Sequence, residues 1–431
     1  NICETGVDEV ALLKACAIHG DLQKGCRIHA HLLKTGRLQM CDDVYVANSL
    51  INLYARCGAF SKALQVFEHL QHIRDVVSWN ALIAGYAGHG YAQEALEHFE
   101  RMEREKGIQP DAFTFVSVLK ACAIAKAIEK GKQIHAQMIK QGLLEKDIFI
   151  GTALVDMYAK CGNITNAVDV FNQLSSKNVV SWNVLISGYS KLGHSMLVLK
   201  CYMGMQHEGF CPNSVTFVCV LNSCGNVELF EKGKSIHAQI VSQVILEKNI
   251  LVGNALIDMY AKCGMIAKAR EVFDQVLVRD AVTWNVLIAG YVDSGHGDEA
   301  MHIFEKMQHD GFSPDAVTFL CILKVCGSIG AVDKGMEIHS EILREDFLEK
   351  EVVLGNALVD MYGKCGGLTK AQEIFDQLRF RDVVSWNSLI TGYAYHGQAE
   401  TTLMCFQQMQ GEGFAANSVT FLCILKACGC L

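Results

Sequence analysis

The chain has 431 residues, of which 51% are hydrophobic, and its formal net charge is −8. This composition excludes a disordered chain, and the negative charge argues against a protein that binds polyanions without regard to sequence. No run of about 18 apolar residues occurs, so no membrane-spanning helix is expected. Only 3 Pro are present and helix-forming residues dominate, which predicts an all-α fold.

Cysteine is abundant, with 19 residues, but no C-x-x-C pair occurs in the chain. Many cysteines lie in apolar helical stretches, as Cys122 does in the run Leu-Lys-Ala-Cys. This placement favours small buried side chains in a protein from a reducing compartment. Zinc ligation is the alternative. We therefore predict neither a metal site nor a cofactor.

One pattern recurs about every 102 residues along the chain. The Trp residues are 103, 102 and 102 positions apart, and Pro, Ile-His and Cys-Gly recur at 102. These residues are Trp79, Trp182, Trp284 and Trp386; Pro110, Pro212 and Pro314; His135, His237 and His339; and Cys161, Cys263 and Cys365. Chance does not align four residue types in this way, so the chain is predicted to be a repeat array.

Each block contains three units of 31 to 36 residues, a length that suits one helical hairpin. In the unit 76–111, apolar residues have helical spacing over 79–86, a break follows at Gly88, and a second periodic run spans 95–102. Such a hairpin cannot bury both of its faces alone, so stacked neighbours must share a continuous core. The predicted fold is therefore an all-α solenoid with a long concave surface.

The units alternate among three types, labelled L, S and P below. In chain order they are 6–43 (L), 44–75 (S), 76–111 (P), 112–147 (L), 148–178 (S), 179–213 (P), 214–249 (L), 250–280 (S), 281–315 (P), 316–351 (L), 352–382 (S), 383–417 (P) and the partial unit 418–431 (L). We predict that they form a single array over residues 1–431. The chain begins at Asn1 and ends at Leu431 within the pattern, so we expect it to be a fragment of a longer protein.

Two repeat families have helical hairpins of this size. Tetratricopeptide repeats, which bind peptides, fit only in part, because Gly85 precedes Tyr86 where their pattern places glycine directly after Leu82. Other motifs resemble the plant pentatricopeptide repeats of the PLS subclass over essentially the whole chain. These motifs are Val-Val-Ser-Trp-Asn at 383–387, Asp-Met-Tyr-Ala-Lys-Cys-Gly at 156–162 and 258–264, and Gly-Lys-Gln-Ile-His-Ala at 131–136.

The resemblance implies a right-handed superhelix of helix-turn-helix repeats that binds single-stranded RNA, in plants usually in mitochondria or chloroplasts. It also implies how the RNA is read. Each P or S unit contacts one base through the fifth residue of its first helix and through its last residue, called the closing residue below. The 5′ end of the RNA lies at the N-terminal side of the array.

Both of these positions carry polar side chains in every P and S unit. The fifth residues are Asn48, Asn80, Thr152, Asn183, Asn254, Asn285, Asn356 and Asn387. The closing residues are Asp75, Asp111, Asn178, Asn213, Asp280, Asp315, Asp382 and Asn417. Asn offers a donor and an acceptor, which suits the Watson–Crick edge of an unstacked base. Helix capping is the alternative role for any of these residues.

Apolar residues occupy two further positions of interest. The fifth residues of the L units cannot hydrogen-bond a base, so no base reading is predicted at Val116, Val218, Leu320 and Leu422. The resemblance implies that the second residues of the P and S units sandwich the bases, and packing inside the hairpin is the alternative. These second residues are Val77, Phe149, Val180, Leu251, Val282, Val353 and Val384.

Cations recur at the thirteenth position of the S units, directly before a Cys-Gly pair. They are Arg56, Lys160, Lys262 and Lys364. We identify them as candidates for contacts with RNA phosphates. A favourable interaction with the C-terminal end of a helix dipole is the alternative.

The family's code predicts a target when it is carried over to these residues. Asn with Asp prefers U, Thr with Asn prefers A, and Asn with Asn prefers C or U, which gives 5′-UUnAYnUUnUY-3′, where Y is a pyrimidine and n is unread. The predicted function is the specificity module of an organelle RNA editing or processing factor. An editing deaminase or another RNA-processing protein is the candidate partner, and no membrane contact is expected. A protein-binding scaffold of tetratricopeptide type is the alternative.

Catalysis by this chain is not expected. The segments that begin at His98 and His339 match the H-x-E element of zinc deaminases, but no P-C-x-x-C element completes a metal site. The phosphate-binding motif G-x-x-x-x-G-K-[ST] and the nucleophile motif G-x-S-x-G do not occur either. A deaminase domain outside this chain remains compatible with the pattern.

Overall fold

The computed structural model describes residues 9–35, 44–70, 73–144, 147–246, 249–345, 347 and 351–429. All regular secondary structure within these ranges is α-helical. The helices are α1 (Glu9–His19), α2 (Leu22–Lys34), α3 (Val44–Arg56), α4 (Phe60–His69), α5 (Val76–Gly88), α6 (Ala92–Arg104), α7 (Ala112–Ala125), α8 (Ile128–Lys140), α9 (Ile148–Lys160), α10 (Ile164–Gln173), α11 (Val179–Lys191), α12 (Ser195–His207), α13 (Ser214–Asn226), α14 (Phe230–Ser242), α15 (Ile250–Lys262), α16 (Ile266–Gln275), α17 (Ala281–Asp293), α18 (Gly297–His309), α19 (Ala316–Ile329), α20 (Val332–Arg344), α21 (Val352–Lys364), α22 (Leu368–Gln377), α23 (Val383–Tyr395), α24 (Ala399–Gly411) and α25 (Ser418–Cys428).

The chain divides into two compact bodies, residues 1–220 and 221–431, with the boundary inside α13. Within each body, consecutive helices form antiparallel hairpins and the first helices of successive hairpins pack on one another, as α3 does on α5 and α21 on α23. The prediction of an all-α solenoid of helical repeats is confirmed. The handedness of the array stays a prediction, and the predicted unit limits at 6 and 43 lie outside the described residues.

Helix starts are set by local capping chemistry. The Asp111 carboxylate accepts the backbone N–H of Thr114 at 2.8 Å, and the Thr114 hydroxyl accepts the Asp111 N–H at 3.1 Å. This reciprocal arrangement is a capping box, which satisfies two backbone donors that a helix start leaves unpaired. At the other end, Gly330 follows α19 with φ 72°, a conformation that suits glycine and terminates the helix.

Each Trp of the 102-residue pattern is buried at the junction between an S unit and a P unit. Trp79 is 1% exposed and its ring meets the edge of Phe67 with 4.6 Å between ring centres. The same contact recurs for Trp182 with Phe171, Trp284 with Phe273, and Trp386 with Phe375. Aromatic pairs of this geometry stabilise a fold by about 0.5–1.5 kcal/mol beyond the burial of their area.

A second repeated contact joins each L unit to the following S unit. The histidine Nδ1 lies within hydrogen-bonding distance of a tyrosine hydroxyl, between 2.7 and 3.2 Å. These His–Tyr pairs are His29 with Tyr54, His135 with Tyr158, His237 with Tyr260, and His339 with Tyr362. Burial lowers the pKa of each of these four histidines below its usual value, so the neutral ring is favoured in the folded chain.

First helices of adjacent S and P units approach each other closely at a glycine. Gly85 of α5 is buried against Ala55 of α3, and a Cβ atom at Gly85 would lie 2.4 Å from the Ala55 Cβ. The same approach occurs at Gly188 with Ala159, Gly290 with Ala261, and Gly392 with Gly363. A side chain at this glycine would therefore push the two first helices apart.

No disulfide bond joins the described cysteines. Cys122, Cys224 and Cys326 are buried in first helices of L units, where burial raises the pKa of Cys122 to about 12. Cys211 and Cys428 are exposed. Among the helices of the described ranges, none is both long enough and apolar enough to span a bilayer.

Candidate nucleic-acid interface

The fifth residues lie in the second turn of each first helix and are nearly buried. All eight, from Asn48 to Asn387, are between 5% and 8% exposed. A buried amide must be hydrogen-bonded or it destabilises the fold. The neighbours of each fifth residue therefore determine which of its polar atoms face the surface.

In the P units both ends of the Asn amide have partners. Asn285 donates from Nδ2 to the Asp315 carboxylate at 2.9 Å, while its Oδ1 accepts the Thr318 hydroxyl proton at 2.6 Å. Because a carboxylate only accepts and the amide nitrogen only donates, this pair of contacts allows one amide orientation. The second carboxylate oxygen of Asp315 also lies within 3.0 Å of Asn285 Nδ2, so both carboxylate oxygens face the amide nitrogen.

The same three-residue arrangement is found at all four P units and at the first S unit. The hydroxyl belongs to the third residue of the following helix, and we call its bond to the fifth Asn the amide–hydroxyl contact. It is 2.6 Å long in every case and joins Ser78 to Asn48, Thr114 to Asn80, Thr216 to Asn183, Thr318 to Asn285, and Thr420 to Asn387. The fifth Asn also donates to its closing residue in each of these units.

The remaining S units differ. Asn356 still donates to Asp382 at 3.2 Å, but its Oδ1 is buried and has no partner among the described residues. Within the same part of the chain, the Thr152 hydroxyl and both amide atoms of Asn254 are buried without a hydrogen bond. The structure thus brings six of the eight predicted pairs into hydrogen-bonding contact and leaves Thr152 and Asn254 apart from Asn178 and Asp280.

The closing residues are accessible, unlike the fifth residues, and each one also caps the next helix. Their side-chain oxygens accept a backbone N–H from the first turn of α5, α7, α11, α13, α17, α19, α23 and α25. Burial raises the pKa of Asp382, but hydrogen bonds from Ser385 and Asn356 outweigh it, so the pKa lies below its usual value. The capping alternative therefore holds for all eight closing residues.

The second residues are exposed apolar side chains. All seven predicted residues are between 52% and 71% exposed, which is incompatible with packing inside the hairpin. The structure adds residues at the same position that sequence analysis missed, one in an S unit and four in L units. They are Tyr45, Phe113, Val215, Val317 and Val419, and the position within each unit is the signal that would have found them.

One groove of about 740 Å³ in the N-terminal body brings these sets together. Residues of the second, fifth, thirteenth and closing positions line it side by side. They include Tyr45, Asn48, Arg56, Asp75, Val77, Asn80, Asp111 and Phe113. Polar hydrogen-bonding groups and exposed apolar side chains therefore share one surface across three consecutive units.

The candidate phosphate-binding cations lie at the last residue of the S-unit first helices, but three of the four are already paired. Lys160, Lys262 and Lys364 each form a 2.7 Å ion pair with an Asp one turn earlier on the same helix. These lysine–aspartate pairs involve Asp156, Asp258 and Asp360, and the i, i+4 spacing was a signal that sequence analysis overlooked. A phosphate would have to compete with these carboxylates.

The other sequence features lack the geometry of a reactive site. The apolar fifth residues Val116, Val218 and Leu320 are half-buried, and Leu422 is exposed. Burial lowers the pKa of His98 to about 4, and His339 belongs to a His–Tyr pair. Within the described ranges no group of three or more His, Cys, Asp or Glu side chains is placed to hold a metal ion.

Comparison with known proteins identifies the family. A model of the PPR repeat family matches residues 74–124, 177–226, 279–328 and 381–430, and a PPR repeat model matches 45–73, 152–179, 254–280 and 356–383. Together these matches cover more than half of the chain. The chain belongs to the pentatricopeptide repeat family.

Several relatives come from Arabidopsis thaliana. A chloroplastic pentatricopeptide repeat-containing protein is 34% identical over 97% of this chain and 67% of its own length. A further member is 37% identical over 97% of this chain and 59% of its own length. A second chloroplastic member is 33% identical over 97% of this chain and 48% of its own length. The chain thus spans about half to two thirds of these relatives.

Solved structures show the same fold. The crystal structure of the pentatricopeptide repeat protein PPR10 from maize aligns with a TM-score of 0.66 at 23% identity, over 97% of this chain and 65% of that one. PPR10 in complex with an 18-nt psaJ RNA element aligns with a TM-score of 0.68 at 18% identity, again over 97% and 65%. At this identity the similarity establishes the α-solenoid fold and nothing finer.

Proposed function

We propose that this chain binds single-stranded RNA with sequence specificity and that each P and S unit contacts one base. The observation that supports this proposal is the pairing of fifth and closing residues. Six such pairs are hydrogen-bonded although 26 to 31 residues separate their members. Exposed apolar second residues flank them, and a base needs both a hydrogen-bonding partner and a flat apolar contact.

The free atoms of these pairs account for the predicted base preferences. An Asn–Asp pair presents a donor next to an acceptor, as Asn285 and Asp315 do, and uracil offers N3–H next to a carbonyl oxygen. An Asn–Asn pair such as Asn183 with Asn213 presents two donors, because Asn213 Oδ1 is occupied by a backbone N–H. Two adjacent acceptors, N3 and O2 of cytosine, match that arrangement.

The proposed target is 5′-UUnAYnUUnUY-3′, read from Asn48 with Asp75 at the first base to Asn387 with Asn417 at the eleventh. The L units contribute apolar contacts but no base reading, since their fifth residues lack hydrogen-bonding groups. Arg56 contacts a phosphate, and each of the three lysines does so after the phosphate has displaced its aspartate partner.

The alternation of unit types and the similarity to plant relatives support a role as the specificity module of an organelle RNA editing or processing factor. An editing deaminase or another RNA-processing protein is the proposed partner. The proposed location is a mitochondrion or a chloroplast, and two of the relatives are chloroplastic proteins.

The test is selection from a random RNA pool with the full chain, followed by sequencing of the bound RNAs. The proposal expects enrichment of the pyrimidine-rich motif above, with U at the seventh and eighth bases. An unenriched pool would refute base reading and favour a protein-binding scaffold that uses the same groove.

A double variant tests the assignment of residues to bases. Asn183→Thr with Asn213→Asp should move the preference at the fifth base from pyrimidine towards G, by roughly 1–3 kcal/mol. Val218→Leu in the adjacent L unit is the matched control, because it adds no hydrogen-bonding group and Leu320 occupies the same position in another L unit, and it should leave the profile unchanged. An unchanged profile for the double variant, or a shift caused by the control, would contradict the assignment.

A further inference from the structure

The amide–hydroxyl contact divides the base-reading units into two structural classes. It is present where the fifth Asn is held by both neighbours, and it is absent in the S units 148–178, 250–280 and 352–382. The third-residue hydroxyl itself follows every one of these units, because Ser181, Thr283 and Ser385 occupy that position in the next helix. What differs is the atom to which the hydroxyl donates its proton.

Two consecutive units with the same reading residues show the difference. In the P unit, the Thr318 hydroxyl is 2.6 Å from Asn285 Oδ1 and 3.0 Å from the Asp315 carboxylate, so the shorter bond to the amide takes its proton. In the S unit, the Thr283 hydroxyl lies 2.9 Å from the Asp280 carboxylate, and Asn254 is left without a partner. Both threonines are fully buried and both complete a capping box.

The connection between helices provides a physical reason. From the end of α4 to Asp75 the chain takes one residue more than from the end of α10 to Asn178, of α16 to Asp280, or of α22 to Asp382. The S unit with the longer connection, 44–75, makes the amide–hydroxyl contact, and the three with the shorter connection do not. The shorter connection therefore accompanies a third-residue hydroxyl that does not bond the fifth side chain.

We propose that the third-residue hydroxyl is a positioning group for base recognition, and that the P units of this chain discriminate between bases more sharply than the S units at 148–178 and 250–280. This inference rests on the proposed RNA-binding function. Where the hydroxyl donates to the amide oxygen, the amide nitrogen is directed to the base before RNA arrives. Asn254 has no such restraint, so its amide can present either its oxygen or its nitrogen and accepts more than one base edge.

Thr318→Val and Thr283→Val form a matched pair for the test. Both remove a buried hydroxyl that bonds a closing residue in a capping box and keep the volume of the side chain, and only the Thr318 hydroxyl also donates to a fifth residue. Dissociation constants are measured for the full chain with eleven-nucleotide RNAs that carry each of the four bases at the seventh or the eighth position. Thermal unfolding of each variant reports the loss of the cap.

The wild-type chain should prefer U more strongly at the eighth base, read by Asn285, than at the seventh, read by Asn254. Thr318→Val should reduce the preference for U at the eighth base about tenfold. Thr283→Val should lower the unfolding temperature to a similar extent and leave the seventh base unchanged. Thr318→Ser, which restores the hydroxyl, should recover the wild-type preference.

The outcomes separate this inference from the proposed function. A wild-type chain without any base preference overturns the proposed function, and the inference with it. A wild-type preference for U that Thr318→Val leaves intact overturns the inference alone. An equal loss in Thr283→Val also overturns it, because the hydroxyl would then act through the helix cap. A stronger preference at the seventh base than at the eighth contradicts the ranking of P and S units.

Discussion

The glycine at the junction of S and P first helices offers a sharp test of the packing described above. In Gly85→Ala, the new Cβ would lie 2.4 Å from the Ala55 Cβ and 3.2 Å from its Cα. The second atom belongs to the backbone, so a rotamer change cannot relieve the overlap and α3 and α5 must separate. Overpacking of this kind costs about 1–3 kcal/mol.

Gly88→Ala is the matched control, because Gly88 lies in the same helix and has no atom near its missing Cβ. Alanine is favoured over glycine in a helix by about 0.5–1 kcal/mol, less at a terminal residue such as this one. We therefore expect Gly85→Ala to destabilise the chain by about 1–2 kcal/mol and Gly88→Ala to leave it unchanged or slightly more stable. The measurement is the free energy of unfolding from urea titrations of both variants.

A second change in the partner helix identifies the cause. Ala55→Gly in the Gly85→Ala background removes the nearest atom that the new methyl group meets, the Ala55 Cβ, so that an alanine on α5 then faces a glycine on α3. Contacting residues typically show a coupling of about 0.5–3 kcal/mol in such a double-mutant cycle. Equal stability of Gly85→Ala and Gly88→Ala, or a cycle without coupling, would show that the two helices do not approach as described.

Three further results are expected. Lowering the pH from about 7.5 to 5.5 should reduce the urea midpoint of unfolding. The histidines of the unfolded chain bind protons near pH 6.5, while burial in the His–Tyr pairs lowers their pKa in the folded chain. Replacement of the three histidines at 135, 237 and 339 by Asn should weaken this dependence of the midpoint on pH. Replacing the aspartate of each lysine–aspartate pair by Asn should tighten binding to all RNA sequences alike. Each released lysine that contacts a phosphate should steepen the slope of log affinity against log salt concentration by about 0.7. A gain in affinity for one sequence only would contradict the phosphate role. Iodoacetamide should label the exposed Cys211 and Cys428 about tenfold faster than Cys122, because burial shields the Cys122 thiol and raises its pKa. Mass spectrometry follows the labelling, and early labelling of Cys122 would show that α7 opens locally.

Much of the architecture followed from spacing alone. The recurrence of Trp, Pro, Ile-His and Cys-Gly was sufficient to predict stacked helical hairpins, because capping residues, glycine breaks and apolar periodicity act over a few residues. The polar character of the fifth and closing residues was visible in the same way. Their hydrogen bonding was not, since it joins residues about 30 positions apart and depends on how one hairpin rests on the next.

The difference between Asn285 and Asn254 shows where the sequence pattern stops being informative. Both are followed by an Asp closing residue and a Thr at the third position of the next helix, yet only one is held by its neighbours. The connection from the preceding helix to the closing residue is one residue shorter for Asn254 than for Asn285. The pairing of Lys160 with Asp156, in contrast, could have been predicted from their spacing on one helix.

Because the closing residue both caps the next helix and is proposed to contact a base, helix capping limits which nucleotides such an array can evolve to recognise. Its side chain holds the first turn of the following helix, and replacement of a capping residue by Ala typically costs about 0.5–2 kcal/mol. Residues that accept a backbone N–H well, namely Asp, Asn, Ser and Thr, are thus the substitutions that the solenoid tolerates there. Helix stability thus restricts the closing residues, and with them the bases, that are available when such an array evolves a new target. A substitution of the closing residue in an engineered unit also changes the stability of the next helix.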